Sequence, residues 1–295
     1  SVALPDAAAQ ALAAVALEPA LLHAVAVARS RVLADPRDEA LARLAGGAGG
    51  AAEASPASSA SGAPAASSPA ALAERLGAAY AAALAASMRR DPVRAEAGLR
   101  EARAVLAQSG ARPAPASTGT STARSTPTST SLASVQRSLA LLAAELAIAR
   151  GDGAAALTEL APYASNGTRV MLLRRTEATL AHALASPAAL RERGEALQTW
   201  LSSRPRDALA WSLSAQVWQR LGQPLRALRA EAEARYALGD LAGASDRLRA
   251  GQQVARRTPL DSVDAIESSV IDARLREVDE QRRQIFLEER ANQGR

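Results

Sequence analysis

The chain has 295 residues, about a quarter of them alanine, with no cysteine and only 2% aromatic residues. This composition excludes disulfide scaffolds and cysteine-based chemistry, and because alanine favours helices and strand-forming runs are missing, it predicts an all-α protein. The net charge of +5 comes from 35 basic residues, all arginine, against 30 interspersed acidic residues. With so few aromatic rings for base stacking, this pattern argues against a nucleic-acid partner.

The first segment, residues 1–45, is apolar but does not predict a membrane span. Its apolar stretch, residues 7–28, lacks a basic flank and is interrupted by Glu18, Pro19 and His23. We therefore expect a helix or a helix pair here, and we expect no membrane span in the chain. The start at Ser1, without methionine, favours a processed protein or a fragment of a longer one.

Two low-complexity segments interrupt the helical pattern, residues 46–69 and residues 109–131. Both are rich in Gly, Ser, Thr and Pro, and they bury too little apolar surface to offset the entropy of ordering the chain. The sequence therefore predicts two disordered linkers. Between them, residues 70–108 predict a helical hairpin, in which Asp91 is the N-cap of the second helix and Pro92 is its first residue.

Residues 132–260 have a regular pattern that predicts repeated helical hairpins. Glycine is followed five residues later by alanine at three turns, which begin at Gly151, Gly222 and Gly239. Glycine adopts the left-handed conformation that ends a helix, and the small alanine lets two helices approach closely.

The clearest unit begins near residue 208 and resembles the tetratricopeptide repeat. Small residues and tryptophans follow that repeat's spacing at Trp211, Ala215, Trp218, Gly222, Ala227 and Ala234. Glu231 stands where the repeat usually has an aromatic residue. The resemblance implies a tetratricopeptide-like α-solenoid of helical hairpins.

Large aromatic side chains concentrate in the second half of the chain. Burial of one such side chain removes about 150–250 Å² from water, so we expect the structural anchors to be Trp200, Trp211, Trp218 and Tyr236. We therefore expect the C-terminal half to form the stable core, with the N-terminal third tied to it loosely.

The last segment, residues 261–295, predicts one long capping helix. Ile271, Leu275, Val278 and Ile285 form a narrow apolar seam between many charged residues. A helix of this kind caps a solenoid, because a terminal unit must present a polar outer face. Dimerisation through the seam is the alternative.

The sequence contains no recognisable catalytic or metal-binding motif. Histidine occurs only at positions 23 and 182, and neither has partners at zinc-ligand spacing. We therefore expect no catalytic residue, no metal site and no cofactor in this chain. A solenoid instead supplies a concave groove lined by the first helix of each pair. The predicted groove residues are Ser212, Gln216, Gln219 and Arg220, with Arg175 and His182 one unit earlier.

Residues 227–253 and 267–283 are similar to the C-terminal end of a known enzyme family. The shared features are an Arg-Ala-Glu-Ala run followed by Tyr-Ala and Gly-Asp, and an Ile-Asp-Ala-Arg-Leu-Arg helix at residues 271–276. These features resemble the periplasmic zinc metalloproteases with tetratricopeptide repeats, the β-barrel assembly-enhancing protease group. Residues 28–36 are similar to the start of that family's repeat region.

The resemblance implies a periplasmic location and protein partners: the family's own protease domain and outer-membrane proteins or their assembly machinery. It implies zinc only in a peptidase domain ahead of Ser1, because this chain lacks the family's zinc-binding helix. The first hypothesis is a partner-binding and substrate-binding repeat domain of such a protease. The second is a stand-alone repeat scaffold, and the third is a chain that cleaves peptides itself.

Overall fold

The structure, a computed structural model, describes residues 6–50, 68–109, 127–257 and 262–293. These residues form α-helices and no β-strand, which confirms the all-α prediction. The helices, in chain order, are α1 (Asp6–Ala34), α2 (Asp38–Gly50), α3 (Pro69–Met88), α4 (Pro92–Gln108), α5 (Pro127–Ala149), α6 (Gly153–Leu160), α7 (Arg169–Ala181), α8 (Pro187–Ser203), α9 (Ala208–Arg220), α10 (Pro224–Ala237), α11 (Leu241–Arg257) and α12 (Ser262–Gln293). A short 3₁₀ turn, Ala161–Tyr163, follows α6.

Side-chain caps start several helices where the sequence predicts a start. The Asp91 carboxylate accepts a hydrogen bond from the backbone N–H of Arg94 at 3.0 Å, and Pro92 opens α4. The predicted hairpin break is therefore confirmed. Ser68 and Ser186 cap α3 and α8 in the same way, each directly before a proline. Proline suits the first helical turn because its missing N–H has no partner there.

The three glycine turns have the predicted geometry. Gly151, Gly222 and Gly239 have φ angles of 78°, 70° and 82°, in the left-handed region that side chains disfavour. The alanine five residues later is buried at each turn, at Ala156, Ala227 and Ala244. The repeated glycine and alanine pattern therefore marks three tight connections between packed helices.

Contacts between Cα atoms divide the chain into two compact units, Ser1–Asn166 and Gly167–Arg295. The predicted repeat region, residues 132–260, therefore spans both units, because α5 and α6 pack within the first. The predicted linkers also begin and end differently, since α2 continues to Gly50 and α5 already starts at Pro127. The rest of these linkers, residues 51–67 and 110–126, lies outside the described residues.

The first unit is built around α3, which packs against α1, α2, α4 and α5. Eight consecutive residues of α3, from 79 to 86, are buried, so this helix has neighbours on all sides. Most of the surrounding core side chains are alanine and leucine. The expectation that the C-terminal half holds the main core missed this cluster, because small side chains here pack by close helix approach rather than by bulk.

A polar contact joins three helices inside the first unit. Arg29 of α1 donates through Nη1 to the hydroxyl of Tyr80 on α3 and to the carboxylate of Glu145 on α5, both at 3.1 Å. Burial on its own lowers the pKa of the Arg29 guanidinium, but the charge of Glu145 and the Tyr80 hydroxyl outweigh this effect and raise the pKa. The contact thus pairs a partly buried charge and fixes α1 against α3 and α5.

Helix α5 contains the one window among the described residues that is long and apolar enough to cross a membrane, Leu132–Ala149. Within the first unit, 44% of that window is buried. The helix packs against α1, α3, α4 and α6.

In the second unit, each helix from α7 to α12 packs against the next one in the chain. One apolar cluster joins α8 to α9 and α7 through Leu173, Leu197 and Val217. A second cluster joins α10, α11 and α12 through Leu225, Leu248 and Ile271. The tetratricopeptide-like arrangement of these helices stays a prediction.

Helix α12 covers α10 and α11 with the predicted apolar seam. Ile271, Leu275 and Val278 are all buried in that contact. The same three residues are therefore used within the chain, whereas the dimerisation alternative needs them on the surface. Ile285, the fourth residue of the seam, is 40% exposed.

Candidate partner-binding site

The predicted groove residues lie on two helices that touch. Arg175 belongs to α7 and His182 follows its last residue, while α9 carries the other four predicted residues. Helices α7 and α9 are in contact. The Asp207 carboxylate caps the start of α9 by accepting from the N–H of Ala210 at 3.2 Å.

Arg220 has a structural contact that the sequence did not reveal. Its Nη1 atom donates to the carbonyl oxygen of Leu180 at 2.6 Å, and both terminal nitrogens approach the carbonyl of His182 at 3.3 Å. These carbonyls belong to the last turn and the end of α7, where a helix has unpaired acceptors and partial negative charge. Arg220 therefore ties the end of α7 to α9, and its guanidinium is engaged within the protein.

The remaining predicted residues leave a neutral polar surface on α9. Gln216 and Gln219 are exposed and Ser212 is half-buried. The Gln216 amide reaches back toward the Ser212 carbonyl at 3.4 Å, a long and weak hydrogen bond. Primary amides both donate and accept, which suits them to the backbone of an extended peptide.

Arg175 is half-buried on α7. Burial lowers the pKa of its guanidinium, and the like charge of Arg193 lowers it further. Arginine remains protonated despite such shifts, and the charged groups that act on Arg175 are Arg193 and Glu192 of α8. His182 is half-buried at the end of the same helix, and its carbonyl is one of the Arg220 acceptors.

The four predicted anchors differ in burial. Trp218 is 7% exposed and packs against Gly194 of α8, whereas Trp200 and Trp211 are partly buried against the α8–α9 cluster. Tyr236 is partly buried against the α10–α12 cluster, with the Arg274 guanidinium 4.1 Å from its ring centre.

Sequence reasoning missed a cleft between the end of α8 and the start of α9. In its lining, Arg169 donates to both oxygens of Asp207 at 2.7 and 2.8 Å. The indole N–H of Trp200 adds a third hydrogen bond to Asp207 at 3.0 Å. The Arg169 hydrogen bonds are the largest cause that lowers the pKa of this carboxyl, from 3.8 to about 2, against the opposing effect of burial. The sequence feature that could have indicated this cleft is the Arg-Pro-Arg-Asp run at residues 204–207.

In the part of the chain that the structure describes, no three His, Asp or Glu side chains are grouped so that they could hold a metal ion. No protein-family model matches the sequence, and a search of curated proteins gives no significant match. The resemblance of residues 227–253 and 267–283 to the protease family therefore stays a prediction.

Proposed function

We propose that the chain is a non-catalytic repeat domain that binds protein partners and substrates. We place it in the C-terminal part of a periplasmic zinc metalloendopeptidase for outer-membrane protein quality control. Zinc and the hydrolytic step belong to a peptidase domain ahead of Ser1. The tetratricopeptide-like spacing around Trp211 and the family resemblance after residue 227 support this proposal.

The observation that carries the binding function is the exposed amide surface of α9 beside α7. Gln216 and Gln219 are exposed, and Arg220 of the same helix contacts the end of α7. An extended peptide laid along this surface has unpaired backbone N–H and C=O groups, which side-chain amides can satisfy. Two such hydrogen bonds at about 1 kcal/mol each give about 30-fold in affinity.

The experiment is a binding titration of the full chain against a urea-unfolded outer-membrane β-barrel protein, followed by fluorescence anisotropy. Replacement of Gln216 and Gln219 together by alanine should weaken binding by about 30-fold. The control is Gln198→Ala, since Gln198 is an exposed glutamine on α8. Equal affinity of the double variant and the control contradicts the proposal.

Arg220 is kept out of this titration for a physical reason. Because its guanidinium holds the end of α7, Arg220→Ala removes a helix contact as well as a surface charge.

The protease assignment has its own test in the reading frame ahead of Ser1. A His-Glu-x-x-His helix encoded there supports it, and its absence favours the stand-alone scaffold.

A further inference from the structure

The cleft between α8 and α9 combines a basic lining with an apolar surface. It has a volume of about 810 Å³ and opens to solvent in the second unit. The lining residues are Arg169, Trp200, Arg204, Pro205, Arg206, Asp207, Ala208 and Leu209. Three arginines and one aspartate give this lining a net charge of +2.

The single negative charge of the cleft is already compensated. Asp207 receives two hydrogen bonds from Arg169, one from the Trp200 indole and one from the backbone of Ala210. Its side chain is only 9% exposed. The Arg169–Asp207 pair therefore carries no net charge, and the net charge of the cleft comes from the other two arginines.

Arg204 and Arg206 supply that charge at the rim. The Arg204 guanidinium lies 3.8 Å from the centre of the Trp200 ring and donates to the Ser203 hydroxyl at 2.9 Å. Stacking on the ring restricts this side chain before any ligand arrives, which lowers the entropic cost of binding. Across the described residues, no carboxylate forms an ion pair with Arg204 or Arg206.

An apolar surface lies directly beside these charges. Leu209 is 46% exposed, and Pro205 is exposed next to it. The Pro205 carbonyl accepts a hydrogen bond from the Trp211 indole at 2.9 Å, which holds the loop between α8 and α9 in place. A ligand that fits this lining has carboxylates for the guanidinium groups and an apolar side chain for Leu209.

We propose that this cleft binds an acidic segment of a partner protein. Carboxylates of the segment pair with Arg204 and Arg206, and an adjacent apolar side chain covers Leu209. Guanidinium groups bind carboxylates through two parallel hydrogen bonds, and the Arg169–Asp207 pair in the same lining carries no net charge to oppose the ligand. The cleft lies apart from the Gln216 and Gln219 surface, so the inference does not depend on the proposed function.

The test is a titration of the full chain with a labelled peptide of alternating glutamate and leucine. Its counterpart has glutamine in place of every glutamate. Arg204→Gln combined with Arg206→Gln should lower the affinity for the glutamate peptide by at least about tenfold. The matched control is Arg226→Gln, because Arg226 also lies over a tryptophan ring, that of Trp218 at 4.8 Å, but outside the cleft.

The proposal is overturned by equal binding of the two peptides, by equal binding by the double variant and the control, or by displacement of the peptide by millimolar inorganic phosphate. The last of these identifies a small-anion site. A single-stranded oligonucleotide that binds more tightly than the peptide, with the same dependence on Arg204 and Arg206, also overturns it. If the double variant unfolds, Arg206→Glu on its own should give the same loss, since Arg206 is exposed.

Discussion

Replacement of Gly98 by alanine should destabilise the first unit, because α4 meets the backbone of α3 at this position. A Cβ atom on residue 98 would lie 2.7 Å from the backbone nitrogen of Ala83 and 3.0 Å from its Cα atom. Ordinary van der Waals contact begins at 3.4 Å, so the helices must separate by 3.4 − 2.7, or about 0.7 Å. Ala83 is fully buried, and neighbouring helices on other sides of α3 oppose that movement.

Two effects of opposite sign set the size of the change. Overpacking a core costs about 1–3 kcal/mol, while alanine gains about 1 kcal/mol over glycine in a helix interior. The obstacle is backbone rather than a flexible side chain, so the cost lies in the upper part of its range. We expect Gly98→Ala to lower the free energy of unfolding by about 1–2 kcal/mol.

Gly46 provides the matched control. It lies in α2, is exposed, and has no atom within 4 Å of the place where a Cβ would stand. Gly46→Ala therefore keeps the helix-propensity gain without the clash, and it should raise stability by about 0.5–1 kcal/mol. The same chemical change should thus have opposite signs at the two positions.

Denaturant unfolding followed by far-UV circular dichroism measures the free energy of unfolding of both variants. All three tryptophans of the chain, at positions 200, 211 and 218, belong to the second unit. Tryptophan fluorescence therefore reports on that unit and serves as an internal reference. If Gly98→Ala is as stable as Gly46→Ala, close packing of α4 on α3 is refuted.

The helices and their turns were predictable from the sequence because the interactions that fix them are local. Asp91 bonds to a backbone N–H three residues ahead, and Gly222 needs only its own missing side chain to reach a φ of 70°. The seam of α12 was equally readable, since Ile271, Leu275 and Val278 repeat at helical spacing and share one face. Such signals extend over a few residues.

The core of the first unit could not be predicted from local sequence signals. Residues 81–86 of α3 include five alanines and one leucine, so they show no apolar face and give no indication of which helices surround them. The partners of Arg29 lie 51 and 116 residues away in the chain. Periodicity carries no information about contacts at such separations.

The same limit applies to the two sites of the second unit. Arg220 was assigned to a groove from repeat spacing, but its acceptor at the end of α7 lies 40 residues earlier. The pairing of Arg169 with Asp207 crosses 38 residues and two helices. Only the folded chain brings these charges together, and each then acts on the helix ends rather than on an outside ligand.

The remaining predictions concern single polar groups in each unit. Tyr80→Phe removes the hydroxyl that accepts from Arg29 and should cost about 1 kcal/mol, seen by circular dichroism and not by tryptophan fluorescence. In the second unit, Asp207→Asn keeps an N-cap side chain of similar shape but removes the charge that Arg169 pairs with. Folding lowers the pKa of Asp207 from 3.8 to about 2. The ionised Asp207 carboxylate therefore stabilises the fold fully above about pH 4, and this contribution is lost as the pH falls toward 2. The variant should be about 2 kcal/mol less stable at pH 7, as measured by tryptophan fluorescence in denaturant. Its deficit should shrink steadily below pH 4, and a deficit that stays constant down to pH 2.5 would show that charge pairing with Arg169 is not its cause.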